Sequence, residues 1–135
     1  MSAEPVVSQA GQDWTGTGKV RAREASGVFE LTVDGLTTQP KYYKVLLYEF
    51  FRKDWRGSRP AWGDHAVEII MEHVGEPPHI DLDNIAKAVL DGIKKHVFHD
   101  DAQVARLLVE RREGERERLI VTIRRRQATS GSPPG

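Results

Sequence analysis

Cysteine is absent from all 135 positions of the chain. Its absence excludes disulfide bonds, thiolate zinc sites and a cysteine nucleophile. The chain also lacks an apolar run of the roughly 20 residues that a membrane-spanning helix needs. No basic region followed by an apolar stretch marks the N-terminus as a secretory signal. We therefore expect a cytoplasmic protein without membrane association.

The chain also has no excess charge of either sign: its net charge is zero, because 20 Lys and Arg residues balance 20 Asp and Glu residues. A strongly basic total would indicate a nucleic-acid partner, and the total gives no such indication. The distribution is more informative: acidic residues prevail from Asp64 to Asp101, and arginines crowd positions 111–126. An acidic centre beside a basic flank suits a metal site next to a phosphate-binding surface, and it also suits simple solvation.

The length and composition predict one domain with a substantial core. Residues 1–26 are rich in Ser, Gly, Thr, Gln and Ala with little periodicity, so we predict a poorly ordered N-terminal segment. Residues 127–135 have the composition of a disordered tail. The predicted folded domain therefore spans residues 27–126.

The hydrophobic pattern inside this domain predicts four strands and two main helices. The strands are expected at 28–33, 66–74, 104–109 and 119–123, and the helices at 42–56 and 83–97. A charged turn around Gly114 is expected to join the last two strands as an antiparallel hairpin. The prediction is an α/β (α+β-like) domain of order β-α-β-α-β-β around one mixed sheet of about four strands.

Two carboxylates spaced i, i+2, Asp81 and Asp83, stand at the start of the second predicted helix. If residues 80–83 are extended, both side chains face the same way. Asp83 also stands where the helix begins, so an N-cap is the alternative interpretation of this residue. An N-cap does not account for Asp81.

An adjacent acidic pair, Asp100 and Asp101, follows the same helix and directly precedes a strand. Taken alone, the pair is also typical of a polar turn. If the two acidic pairs converge, three or four carboxylates meet, and such hard oxygen ligands favour Mg²⁺ or Mn²⁺ over zinc. Phosphoryl hydrolysis is the chemistry that these sites commonly serve.

Lys87 lies one helical turn from Asp83 on the same predicted helix face. Its ammonium group could hold a scissile phosphate or stabilise charge in the transition state. The alternative is an i, i+4 ion pair with Asp83 or Asp91.

These residues together resemble the signature of the RusA family of Holliday-junction resolvases. The matching segments are Asp81-Leu82-Asp83-Asn84, Lys87-Ala88, Leu90-Asp91-Gly92-Ile93 and the run FHDDAQV at 98–104. They occur in the family's order within 24 consecutive positions, 81–104. A long ordered match is far more specific than any single piece of it.

The resemblance implies a homodimeric, Mg²⁺-dependent endodeoxyribonuclease, with Mn²⁺ as a possible substitute. It would cut four-way DNA junctions by paired phosphodiester hydrolysis in recombination and repair. By motif position, Asp81, Asp83 and Asp101 are similar to the family's metal-binding catalytic carboxylates, with Asp100 beside them as a further metal ligand, and Lys87 is similar to its catalytic lysine. Expected DNA-binding residues are Lys87, Arg111, Arg112, Arg116 and Arg118.

One departure from the family pattern lies in residues 34–41, which nearly lack its usual basic stretch. Phosphate contacts supply much of the affinity for nucleic acid, so the arginines at 111–126 are expected to compensate in part. Two alternatives to a resolvase follow: a nuclease for flaps, nicks or other branched DNA, and a non-cleaving DNA-binding module of the same fold.

Overall fold

A computed structural model describes residues 14–55 and 60–126. The elements in chain order are β1 Val20–Ala25, β2 Val28–Asp34, α1 Pro40–Lys53, β3 His65–His73, α2 Leu82–Ile93, a 3-10 turn Asp101–Gln103, β4 Val104–Glu113 and β5 Arg118–Arg125. The predicted single mixed sheet with two main helices is confirmed, with five strands in place of about four. No helix of the described residues is long and apolar enough to cross a membrane.

β1 corrects the prediction that residues 1–26 are poorly ordered. Val20 and Ala22 point into the core, and a two-residue turn joins β1 to β2 as a hairpin. Both turn residues, Ser26 and Gly27, have positive φ (53° and 79°), which is the backbone of the turn that suits the twist of a hairpin. Residues 1–13 and the predicted tail, 127–135, lie outside the described residues.

The sheet order is β1-β2-β5-β3-β4. β4 runs parallel to β3, and β5 pairs antiparallel with both β2 and β3. The predicted β4–β5 hairpin is therefore wrong, because β3 lies between the two strands. Turn residues predict a reversal of direction but not which strand becomes the neighbour.

The side chain of Glu72 binds the connection between β4 and β5, which passes over the end of β3. Its carboxylate accepts hydrogen bonds from Arg118 Nε at 2.6 Å and from the backbone N–H groups of Glu115 and Arg116 at 3.0 and 3.3 Å. The hydrogen bond from Arg118 is the main reason that the pKa of Glu72 lies below its usual value. Gly114 also donates its N–H to the carbonyl oxygen of His73 at 2.8 Å.

Both helices share one hydrophobic core with the sheet. The alternate residues of β2, β3 and β5 that point to this core are Phe29, Leu31, Val33, Val67, Ile69, Met71, Leu119, Val121 and Ile123. α1 contributes Leu47, which packs so close to Gly92 of α2 that a Cβ at Gly92 would lie 2.8 Å from the Cβ of Leu47. Glycine at position 92 therefore permits the close helix–helix contact.

α2 ends earlier than the predicted 83–97. Lys94 leaves the helix with ψ of 141°, and Lys95 takes a positive φ of 72°. The chain then turns back through Phe98, which is fully buried, and reaches the 3-10 turn before β4. This return brings the second acidic pair to the edge of the sheet where β4 begins.

Candidate active site

The first acidic pair stands at the N-terminus of α2. Asp81 is the N-cap residue, with an extended backbone (φ −77°, ψ 135°), and Asp83 lies inside the first helical turn. The condition that residues 80–83 are all extended is not met, since the helix begins at Leu82. The N-cap alternative for Asp83 is wrong, because Asp81 holds that position, and the side chain of Asp81 makes no capping hydrogen bond.

A groove of about 480 Å³ runs between α2 and the edge strand β4. It is lined by Asp83, Ala86, Lys87, Leu90, Asp91, Asp101, Leu107 and Val109. The groove therefore brings together one carboxylate from each predicted acidic pair and the predicted catalytic lysine. Its floor is apolar where β4 contributes, and its charged groups come from α2 and the 3-10 turn.

Asp101 has an oxygen atom that lacks a protein partner. Its Oδ1 is buried and accepts no hydrogen bond from any described residue, while Oδ2 lies 3.8 Å from Lys94 Nζ. A buried carboxylate oxygen without a partner is costly unless a donor or a cation compensates it. Asp101 is thus the residue of the second pair whose environment suits a metal ligand.

Asp100 has a different environment from its neighbour. Its Oδ2 accepts a hydrogen bond from the Ala102 N–H at 3.0 Å, and Gln103 Oε1 accepts the Asp100 N–H at 3.0 Å. These reciprocal bonds form a capping box around the 3-10 turn. The carboxylate of Asp100 therefore stabilises the turn that presents Asp101.

Gln103 also connects this turn to a distant loop. Its Nε2 donates to the carbonyl oxygens of Ala61 and Gly63 at 2.8 and 2.9 Å, and Oε1 accepts the His99 N–H at 2.8 Å. Between the two carbonyls, Trp62 stacks on the ring of His99 at a centroid distance of 3.9 Å. The sequence interpretation missed the roles of Gln103 and Trp62, although the D-x-x-Q spacing from Asp100 is a capping-box signal.

Asp81 lies in a separate shallow cleft next to the groove. That cleft is lined by Thr38, Pro40, His79, Ile80, Asp81 and Asn84. Among the residues that the structure describes, no three His, Asp or Glu side chains come close enough to hold a metal ion. The described chain thus places Asp83 and Asp101 along one groove without gathering all four predicted carboxylates at one point.

Lys87 is exposed and makes no ion pair with any residue of the described segments. The i, i+4 pairing with Asp83 or Asp91 that its spacing allows does not form. Asp91 likewise forms no ion pair with Lys87 or Lys95 within the part of the chain that the structure describes. Both side chains line the groove instead.

The predicted DNA-binding arginines lie toward the opposite end of the sheet from the acidic turn. Arg111 and Arg112 are exposed on β4, and Arg112 lies 3.3 Å from Glu110. Arg116 lies 3.6 Å from Asp34, and Arg118 is bound to the partly buried Glu72. Arg118 therefore has a clear structural partner, whereas Arg111 is exposed and makes no ion pair among the described residues.

Comparison with known proteins identifies a family. The model of the family described as endodeoxyribonuclease RusA matches residues 36–124, about two thirds of the chain. The matched region begins after β2 and contains both acidic pairs, Lys87 and Gln103. No curated protein matches the chain significantly. The groove with its acidic residues thus lies wholly inside the matched region, and the chain belongs to the RusA family of endodeoxyribonucleases.

Proposed function

We propose that this protein is a Mg²⁺-dependent endodeoxyribonuclease that resolves Holliday junctions in DNA recombination and repair. One observation supports this most: Asp83, Lys87 and Asp101 line a single groove in a member of an endodeoxyribonuclease family. The unpartnered Oδ1 of Asp101 adds a specific reason for a cation at this place.

The donor set in and beside the groove suits Mg²⁺, with Mn²⁺ as a substitute, because it consists of carboxylate oxygens without cysteine. Asp83 and Asp101, which line the groove, would hold the ion, and Asp81 would have to move from its adjacent cleft to join them, because no three of the described carboxylates lie close enough to share an ion. When bound, such an ion lowers the pKa of water to yield a nucleophile and offsets charge on the leaving oxygen. Asp100, whose carboxylate caps the 3-10 turn, is proposed to support Asp101 rather than to bind the ion.

Lys87 is proposed to bind the scissile phosphate. Its exposed ammonium group has no ion-pair partner among the described residues, so binding a phosphate breaks no existing pair. A fixed positive charge next to a pentacoordinate phosphorus stabilises the charge that develops on the equatorial oxygens.

A homodimer follows from the proposed reaction. Resolving a four-way junction requires two phosphodiester cuts in opposing strands, and one chain carries one copy of the RusA region. Two copies related by a twofold axis would match the symmetry of the junction. Arg111 and Arg112, exposed on the edge strand, are proposed to contact backbone phosphates.

A cleavage assay tests the proposal. The purified chain is incubated with a synthetic four-way junction, a flap, a nicked duplex and a matched linear duplex, each with Mg²⁺ and with EDTA. We expect paired cuts in the junction with Mg²⁺ only. Equal cutting of the linear duplex would contradict junction selectivity, and preferential cutting of the flap or nick would change the substrate. Failure to cut any branched DNA would overturn the nuclease assignment.

A further inference from the structure

Trp62 is unusually exposed for a tryptophan. Its exposed fraction is 70%, the highest value among the large apolar side chains of the described residues. Tryptophan is enriched at binding interfaces, where its ring supplies a large apolar contact area. The exposed face of Trp62 is therefore a candidate contact surface.

The loop that carries Trp62 is held rigidly on both sides. Gln103 binds the carbonyl oxygens of Ala61 and Gly63, and the Ala61 N–H donates to the Val97 carbonyl at 3.1 Å. The Nδ1 atom of His65 lies 2.9 Å from the same Gly63 oxygen. Trp62 is thus presented in a fixed position, so this part of the protein loses little conformational entropy when a partner binds.

One face of the Trp62 ring is already covered. The His99 ring stacks on it with a centroid distance of 3.9 Å and an interplanar angle of 17°. His99 directly precedes the acidic pair, so this stack adjoins the turn that presents Asp101. The opposite face of the indole is available for another flat ring.

A basic pocket lies beside the stack. Its volume is about 570 Å³, and it is lined by Ser26, Gly27, Val28, Trp62, Gly63, Arg124, Arg125 and Arg126. None of the described residues that line it is acidic, and the three arginines make no ion pair with any other described residue. This pocket combines positive charge with an exposed aromatic ring, at the end of β5 that lies next to the start of β3.

We propose that Trp62, backed by His99, and the pocket lined by the arginines at 124–126 bind an unpaired nucleotide of the DNA substrate. The base stacks on the free face of the indole, and the guanidinium groups bind the adjacent phosphates. Base stacking on aromatic side chains beside a positively charged groove is how single-stranded DNA is bound without sequence preference. This inference rests on the proposed function, which supplies DNA as the substrate. It adds the place on the protein surface where one strand leaves the duplex.

An unpaired nucleotide fits this surface better than a base pair does. In a duplex both faces of each base are covered by neighbouring bases, so a single exposed indole face offers a stacking partner only to a base that has left the stack. A flap carries unpaired nucleotides, and the bases at the exchange point of an unstacked four-way junction lack a stacking neighbour on one side, close to where cleavage is proposed. The Trp62 stack next to Asp101 would hold the strand at that point.

Binding measurements in EDTA, where no cleavage is expected, test the inference. Fluorescence anisotropy compares the affinity of a labelled single strand and of a blunt duplex for the wild type, Trp62→Ala, Trp62→Phe and Tyr48→Ala. Tyr48 is an exposed aromatic residue on α1 and serves as the matched control. We expect Trp62→Ala to weaken single-strand binding by about 5- to 140-fold, the equivalent of one base stack. Trp62→Phe should restore most of the affinity, and Tyr48→Ala should not change it.

A photocrosslink provides an independent readout that needs no substitution. A junction carrying 5-bromodeoxyuridine next to the branch point is irradiated in complex with the wild-type chain, and the crosslinked peptide is identified by mass spectrometry. A crosslink to Trp62 supports the inference, and crosslinks confined to other peptides overturn it. Unchanged single-strand affinity in Trp62→Ala, or equal losses for the single strand and the duplex, also overturn it.

These outcomes separate the inference from the proposed function. If the wild type cuts junctions and Trp62→Ala binds single strands normally, the stacking site is wrong and the nuclease assignment stands. If the wild type cuts no branched DNA while Trp62→Ala loses single-strand binding selectively, the stacking site stands and the nuclease assignment is wrong.

Discussion

The side-chain amide of Gln103 donates to the carbonyl oxygen of Ala61 at 2.8 Å, although the two residues are 42 positions apart in the chain. The same side chain accepts N–H groups from the turn that contains the acidic pair. Gln103 therefore holds the Trp62 loop and the acidic turn in one fixed arrangement. The proposed metal ligand Asp101 and the proposed stacking residue Trp62 depend on this single amide.

Substituting Gln103 should separate its two roles. Gln103→Ala removes both sets of hydrogen bonds and is expected to destabilise the fold by about 1–3 kcal/mol. Gln103→Glu keeps the acceptor but loses the donor, so it frees the Trp62 loop and adds a negative charge near Asp101. Cleavage rates at saturating Mg²⁺, measured where both variants are folded, should fall by up to about 100-fold in Gln103→Ala because the ligand is misplaced, and by less in Gln103→Glu, which keeps the acceptor. A wild-type rate in folded Gln103→Ala would show that Gln103 has no positioning role.

Asp100 and Asp101 should respond differently to the same substitution. Asp101→Asn removes the proposed ligand, and it should lower cleavage by more than the roughly 10- to 100-fold loss typical for residues that only support a ligand. The weak, half-exposed contact with Lys94 should limit the stability change to less than about 1 kcal/mol. Asp100→Asn keeps a good capping side chain, so its activity should stay within about tenfold of the wild type. Single-turnover cleavage and thermal unfolding of both variants check this, and equal losses of activity would make Asp100 a ligand as well.

Asp83→Asn should abolish cleavage while DNA binding and folding persist. Asp83 is exposed in the first turn of α2, where its charge contributes about 0.3–1 kcal/mol through the helix dipole. Asp91→Asn is the matched control, since Asp91 lines the same groove one turn from Lys87 and is not a proposed ligand. Junction cleavage and electrophoretic mobility shift assays, with unfolding monitored by circular dichroism, compare the two. If Asp83→Asn unfolds the chain, or if Asp91→Asn is equally inactive, the ligand assignment of Asp83 is contradicted.

Gly92→Ala should destabilise the protein. A Cβ at position 92 would lie 2.8 Å from the Cβ of Leu47 and 2.9 Å from its Cδ1. Overpacking of this kind costs about 1–3 kcal/mol, which outweighs the gain of up to about 1 kcal/mol in helix propensity. The control is Gly18→Ala, because a Cβ there meets nothing within 4 Å. Urea unfolding measures both, and the added substitution Leu47→Ala, which removes the Cδ1 contact but keeps the Cβ at 2.8 Å, should relieve only part of the specific cost of Gly92→Ala.

The hydrogen bonds that the Glu72 carboxylate accepts should make the stability of the protein depend on pH. Because the pKa of Glu72 in the folded state is below its usual 4.5, its contribution is complete above that value and is lost as the pH falls through the lowered one. Wild type and Glu72→Gln should therefore differ by about 1–3 kcal/mol in unfolding free energy at neutral pH. The difference should shrink as the pH is lowered from neutral to acidic, below the usual 4.5, where Glu72 becomes protonated. A difference that does not change between the two conditions would mean that the charge of Glu72 is not what stabilises the connection.

Motif order predicted Asp81, Asp83, Asp100, Asp101 and Lys87 as site residues; the groove contains Asp83, Asp101 and Lys87, whereas Asp81 lines the adjacent cleft. The sequence could name these positions because α2 and the turn after it are local elements, and they fix where the residues of the motif lie. The periodicity of apolar residues likewise predicted both helices and the strands β2 to β5. Local patterns were sufficient for these elements.

The remaining features depend on contacts between distant residues. β1 was missed because its inward residues, Val20 and Ala22, are few and small, and because the hairpin with β2 stabilises it. The neighbours of β4 were mispredicted since strand pairing is not encoded in the turn that follows it. Trp62 was not recognised as part of the site because its stack with His99 joins residues 37 positions apart in the chain.

The position of β5 has a consequence for how the protein is made. The last strand of the described residues lies in the middle of the sheet, between β2 and β3. Until β5 has been synthesised, β1–β2 and β3–β4 are two separate pairs without a common sheet. During translation the β1–β2 hairpin must therefore wait for Arg118–Arg125, and any truncation before Arg118 leaves both pairs with an open edge that invites aggregation.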